Sequence, residues 1–203
     1  MKIQIFGAPR SGTTCLYEAF RDSINYTMGI FEPLTPSWNY QLHYNKSKIK
    51  NHINTLNNHN LNIIEKNVLW DGNVMKGEIY REKILNFYIS YFKNFDKLIF
   101  LYRKNTNESA KSLATAILTD NFHQPYKDIN VDYTSFLPVT KAQNKMVEDL
   151  ASYFNTPITY YEDLYSNNTQ YINSFLDNFD IKVTNPIQFY HKLNTQNRLK
   201  QLR

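Results

Sequence analysis

Residues 2–20, KIQIFGAPRSGTTCLYEAF, decide how the rest of the chain is read. Ile3 and Ile5 alternate with Lys2 and Gln4, and Phe6 closes a short apolar run, the pattern of a buried first strand. Gly7 and Gly12 then enclose Ala8, Pro9, Arg10 and Ser11. Leu16, Ala19, Phe20 and Ile24 recur at helical spacing, which predicts a helix from near Thr13. A loop between strand and helix turns backbone N–H groups and a helix N-terminus towards one point, where a phosphate is stabilised. Pro9, Arg10, Ser11, Gly12, Thr13 and Thr14 are therefore candidate phosphate-binding residues.

The spacing approaches that of the nucleotide-binding loop G-x4-G-K-[ST], with one difference. Gly7, Gly12 and Thr14 fit, but Thr13 fills the slot of the lysine that reaches the β- and γ-phosphates. The cation lies inside the loop instead, at Arg10. The segment PRSGTT resembles the loop of the sulfotransferases that use PAPS (3′-phosphoadenosine 5′-phosphosulfate), and among them is closer to bacterial and viral-type members than to the cytosolic steroid and phenol enzymes. The resemblance implies that this loop holds the 5′-phosphosulfate.

At 203 residues, 42% hydrophobic and 20% charged, the chain is expected to form one domain over residues 1–203 with a real core. A formal charge of +5 suits a polyanionic ligand. With no run of five or six Lys/Arg, nucleic acid is not expected as a partner. Cys15 is the lone cysteine, which excludes an intrachain disulfide and a cysteine-rich zinc site. No apolar stretch approaches the length of a membrane span, about 18 residues. A soluble, cytoplasmic protein without membrane attachment is expected.

Further along, Tyr26–Phe31 predicts a second strand ending at Glu32-Pro33, and Leu34–Asn45 an aromatic-rich loop. Lys46–Asn62 is polar and of low complexity, read as a weak helix or surface excursion. Val74–Gly77 predicts a third strand and Glu82–Phe95 a helix. Leu98–Tyr102, apolar without alternation, has the pattern of a central parallel strand. A helix near Asn107–Leu118 follows, with Asn105, Thr106 and Asn107 as capping side chains. Asp120–Leu137 reads as a loop or lid, Pro138–Phe154 as a helix, Pro157–Tyr161 as the last strand and Asn168–Phe179 as a final helix before an irregular basic tail. Alternating strands and helices predict an α/β fold, a central parallel sheet of about five strands flanked by helices. Ligands of such sheets lie beyond the carboxyl ends of the strands.

Arg103 follows the central strand, and Ser112 lies in the next helix. LYRKNTNESAKSL resembles the second sulfotransferase signature, which implies that Arg103 and Ser112 hold the 3′-phosphate. The spacing is one residue longer than usual in the cytosolic enzymes, so Ser109 is an alternative to Ser112 and Lys104 competes with Arg103. Tyr161 heads YEDL, a segment similar to one that places a tyrosine near the adenine and phosphates. Cys15 stands where many members carry an adenine-stacking tryptophan, with Trp70 as a possible substitute. For catalysis, Arg10 stabilises departing phosphate oxygens, because a permanent guanidinium is a poor proton donor. Two carboxylates compete as base: Glu32, which resembles the glutamate after the equivalent strand in bacterial and heparan-type members, and Glu78, in the position of a family histidine on the third strand. Glu32 is preferred, with Lys76 assisting the sulfuryl oxygens.

The resemblance, spread from Lys2 to Leu164, implies the P-loop NTPase-like sulfotransferase architecture. It also implies a reaction that uses PAPS, releases PAP (the desulfated product) and requires no metal. The acceptor is expected to be a small molecule or carbohydrate bound between the loops Glu32–Tyr44 and Asp120–Leu137. The alternatives are a P-loop nucleotide kinase or NTPase and a non-catalytic PAP- or nucleotide-binding module.

Overall fold

The structure, a computed structural model, describes residues 1–34, 46–57, 60–69, 77–119 and 130–201, with side chains at all of these except 46 and 194–201. Most of the Leu34–Asn45 and Asp120–Leu137 loops, Trp70 and Lys76 lie outside the described residues. In chain order the elements are β1 (Lys2–Gly7), α1 (Thr13–Ser23), β2 (Met28–Phe31), α2 (Lys46–Leu56), β3 (Ile63–Val68), α3 (Glu78–Phe92) and β4 (Lys97–Tyr102). There follow α4 (Thr106–Thr119), α5 (Leu137–Tyr153), β5 (Ile158–Tyr160), α6 (Tyr161–Leu164), α7 (Thr169–Asn178) and α8 (Pro186–Gln201).

The strands form one five-stranded sheet in the order β2-β3-β1-β4-β5, and every pairing is parallel. The α/β class read from the sequence is thus the observed one. β1 is central and buried along its whole length. Ile3, Ile5, Ile64, Ile99 and Leu101 pack towards α1, α7 and α8 on one face. Phe6, Ile63, Leu98 and Phe100 pack towards α2, α3 and α5 on the other. Phe6 meets Phe92 and Phe100 edge to face, with centroids 4.9 and 6.3 Å apart, contacts worth about 0.5–1.5 kcal/mol each beyond their buried area.

This arrangement fixes where a ligand site opens. The chain leaves β1 for β2 by way of α1 on the first face. The later crossovers run the opposite way along the sheet with α2, α3 and α5 on the second face, as a single crossover hand requires. The connections after β1 and β4 therefore diverge, and these two strands are neighbours whose ends align, Gly7 opposite Leu101. The crevice characteristic of such a divergence lies past their carboxyl ends.

Two expectations are corrected. The third strand is Ile63–Val68; Gly77, expected to end a strand, is the residue before α3, and Glu78 opens that helix. The tail from Ile181 is not irregular: Pro186–Gln201 is helical, with Phe189 and Leu193 fully buried against α1. Their spacing of four is one helical turn, but the polar residues around it hide the period.

β3 evaded the sequence reading because its middle is Glu65-Lys66-Asn67, all at most 1% exposed. Glu65 and Asn67 share one face. The Glu65 carboxylate accepts from Tyr91 Oη at 2.6 Å and Asn67 Nδ2 at 2.6 Å, and lies 2.7 Å from His52 Nε2. Asn67 in turn accepts from the Leu34 N–H at 3.0 Å. A carboxylate is tolerated in a sheet interior when donors surround it in this way.

The tyrosines carry a pH prediction. Burial pushes the phenols of Tyr91 and Tyr165 well above their ordinary value, and Glu65 adds to the effect at Tyr91. Burial raises Tyr17 and Tyr171 as well. A folded-state pKa above the unfolded one means that the native state retains protons the unfolded chain releases. The stability these groups contribute is therefore complete below about pH 10 and is lost as pH rises beyond it. In an alkaline titration a late share of the tyrosinate absorbance should rise only together with the loss of far-ultraviolet circular dichroism. Tyrosinate absorbance that is complete before the helix signal is lost would contradict this.

Candidate functional site

The loop after β1 is shaped by residues pressing on it from both sides. A Cβ on Gly7 would lie 2.4 Å from the Leu101 carbonyl oxygen and 2.5 Å from Ser11 Oγ, so only glycine lets the loop fold back on β4. The Ala8 N–H donates to that same Leu101 oxygen at 3.2 Å. Gly12 has φ +83°, and a Cβ there would meet the rings of Tyr165 at 2.6 Å and Tyr161 at 2.8 Å. Tyr165 Oη donates to the Gly12 carbonyl at 2.7 Å. Ser11 Oγ is buried beneath the loop without a hydrogen-bond partner among the described residues. Thr13 is buried and Thr14 partly exposed at the first turn of α1, where unpaired backbone N–H groups face outward.

Among the described residues, five non-glycine residues have positive φ: Arg10 (65°), Glu32 (46°), Asn155, Asn167 and Asp180. Asn and Asp enter this region readily, whereas Arg and Glu do so against a steric penalty. Both exceptions are candidate site residues, which is where backbone strain concentrates. Each is held by a neighbour. Arg103 Nε donates to the Arg10 carbonyl at 2.7 Å, and the Glu32 N–H donates to the Lys66 carbonyl at 2.6 Å.

The positions read from the sequence converge after β1 and β4. Arg10 Nε donates to Ser112 Oγ at 3.0 Å across 102 residues of sequence. The Arg103 guanidinium lies 4.1 Å from the centroid of Tyr161, a cation–π contact, and the same ring packs against Gly12. Ser112 is partly exposed beside Arg10, whereas Ser109 is 1% exposed, so Ser112 is the serine at the site. Lys104 turns away to pair with Asp163 at 2.8 Å. Glu162 accepts from the backbone N–H groups of Lys104 and Asn105 at 2.9 and 3.3 Å. Glu162 and Asp163 thus brace the end of β4, while Tyr161 faces the loop.

Glu32 follows β2, is 4% exposed, and forms an ion pair with Lys66 on β3. Burial pushes the Lys66 ammonium below its ordinary value, against the pull of Glu32; the charge of Arg10 acts in the same direction as burial. Lys66 also lies 4.3 Å from the Phe31 ring centroid. This lysine is the site residue the sequence reading missed. Its signal was the apolar frame Ile63-Ile64 and Val68-Leu69 on either side of a strand-length segment. Glu78, by contrast, is exposed in the first turn of α3 rather than past a strand end. Cys15 is buried under α8, its Sγ 3.5 Å from the Lys192 carbonyl.

Two guanidinium groups, a serine hydroxyl and a helix N-terminus at one crevice suit anionic oxygen, phosphate above all. The adjoining carboxylate–ammonium pair offers a proton acceptor and a third cation. No family model and no curated protein matches the chain. No helix among the described residues is long and apolar enough to cross a membrane.

Proposed function

We propose that the protein is a PAPS-dependent sulfotransferase acting on a hydroxyl or amine of a small-molecule or carbohydrate acceptor. The observation that carries this reading is the bond from Arg10 to Ser112 together with that from Arg103 to the Arg10 carbonyl. They join the glycine loop to a second cationic position one strand away, which suits a nucleotide with phosphates at both ends of its ribose better than one with a single chain.

The residues fit such a donor: a strained glycine loop, a Ser11 hydroxyl beneath it with no partner among the described residues, and two partly exposed arginines. When bound, PAPS supplies an activated sulfuryl group whose transfer leaves charge on phosphate oxygens. Within Pro9–Thr14, the backbone N–H groups of Arg10, Gly12, Thr13 and Thr14 would hold the 5′ end, with the Arg10 guanidinium neutralising that charge. Arg103 and Ser112 hold the 3′-phosphate, and Tyr161 keeps the Arg103 plane in place. Glu32 accepts the acceptor's proton. Lys66, ion-paired with Glu32, brings positive charge to the same end of the sheet.

Calorimetric titration should show PAP binding and no tight binding of ATP with magnesium; the reverse result rejects the reading. Labelled PAPS offered to a panel of alcohols, amines and sugars tests transfer itself. Glu32→Gln should lower turnover by about 10²–10⁴-fold while leaving PAP affinity nearly unchanged. Retained turnover would move the base elsewhere, and PAP binding without transfer to any acceptor would favour a binding module.

A further inference from the structure

On the opposite face of the sheet from α1, a cleft of about 450 Å³ opens between the ends of β4 and β5, the start of α4 and the side of α5. None of the glycine-loop residues lines it. Its volume is in the range of small-molecule sites.

Asn144 lines the cleft although it is only 6% exposed, and its Oδ1 has no hydrogen-bond partner among the described residues. A buried acceptor in that condition is stabilised by any ligand that brings a donor. Glu148, one turn further along α5, is a second acceptor, its Oε1 2.8 Å from the Tyr102 hydroxyl that donates to it. Three ammonium groups ring the opening. Lys104 pairs with Asp163 and Lys145 with Asp149, at 2.8 and 2.9 Å. Lys141 has no ion pair among the described residues. Thr106 adds the N-terminus of α4. Tyr160, edge-on to Tyr102 at 5.3 Å and with Lys104 Nζ 4.8 Å from its centroid, supplies a flat wall.

Acceptors deep in the cleft call for hydroxyl donors, and cations at the rim call for an anion. We propose that this cleft binds a sugar bearing one anionic group, phosphate or carboxylate. The anion lies at Lys141, Lys145 and the start of α4, and the hydroxyls donate to Asn144 Oδ1 and Glu148. The site is separate from the crevice after β1 and β4, and it stands whether or not that crevice transfers sulfuryl groups.

The test is calorimetry on the full chain with glucose 6-phosphate, glucuronate, glucose and inorganic phosphate, each with and without saturating PAP. A phosphorylated or carboxylated sugar should bind at least about tenfold more tightly than glucose or phosphate alone, and PAP should not displace it. The tighter of the two identifies the anion. Lys141→Glu, an exposed substitution, should weaken binding about tenfold or more, as should Asn144→Leu, which removes the acceptor. The proposal is overturned by equal affinity for phosphate and sugar phosphate, by displacement with PAP, or by unchanged binding in Lys141→Glu. Absence of saturable heat up to about 10 mM overturns it too.

Discussion

Lys66→Met should destabilise the fold by about 3–5 kcal/mol, because it leaves the Glu32 carboxylate buried opposite a thioether. Methionine nearly matches lysine in length, so packing against Phe31 survives and the loss is one of charge compensation. For a chain of this size the midpoint of thermal unfolding should fall by roughly 10 °C. The deficit should shrink as pH drops, since a carboxyl stripped of its cation takes up a proton in the folded state before it does in the unfolded one. Adding Glu32→Gln to Lys66→Met should recover most of the stability, because two neutral groups replace one stranded charge. A single mutant within about 0.5 kcal/mol of wild type would mean that the pair is not a coupled unit.

Arg103→Ala should weaken PAP binding by about 30- to 150-fold, the loss of a charge-assisted phosphate contact worth roughly 2–3 kcal/mol. Arg103 also holds the carbonyl of the strained Arg10, so its removal loosens the loop as well. Arg103→Lys keeps the charge but loses the fork and the Nε bond, and should be nearly as poor. The diagnostic comparison is between PAP and adenosine 5′-monophosphate, which differ by the 3′-phosphate. Wild type should prefer PAP strongly, and Arg103→Ala should abolish the preference. If both nucleotides weaken by the same factor, Arg103 acts only through the loop.

How far the sequence discloses this molecule depends on the range of the interactions. The strand, loop and helix of residues 2–20 were legible because their signals are local: alternation, two glycines and a helical apolar period. Arg103 was legible because a strand end announces it. β3 was not, since an interior strand carrying Glu65, Lys66 and Asn67 violates the apolar rule unless His52, Tyr91 and Glu32 are known to face those residues. With β3 misplaced, Glu78 moved onto a strand end where it does not lie, and Lys66 went unseen. The choice of Ser112 over Ser109 likewise rests on an Arg10 contact that no local pattern encodes.

The glycine loop precedes in the chain much of what steadies it. α1 packs on α8, Cys15 meets the Lys192 carbonyl, and Lys192 pairs with Asp22 at 2.9 Å. The Ser23 carbonyl accepts from the Thr184 N–H and hydroxyl. Tyr161 and Tyr165, which press on Gly12, also lie late in the chain. During vectorial synthesis on the ribosome, α1 therefore waits with an uncovered apolar side until α8 has emerged. A stop codon before Pro186 is expected to yield a chain that chaperones hold rather than one that functions at a reduced level.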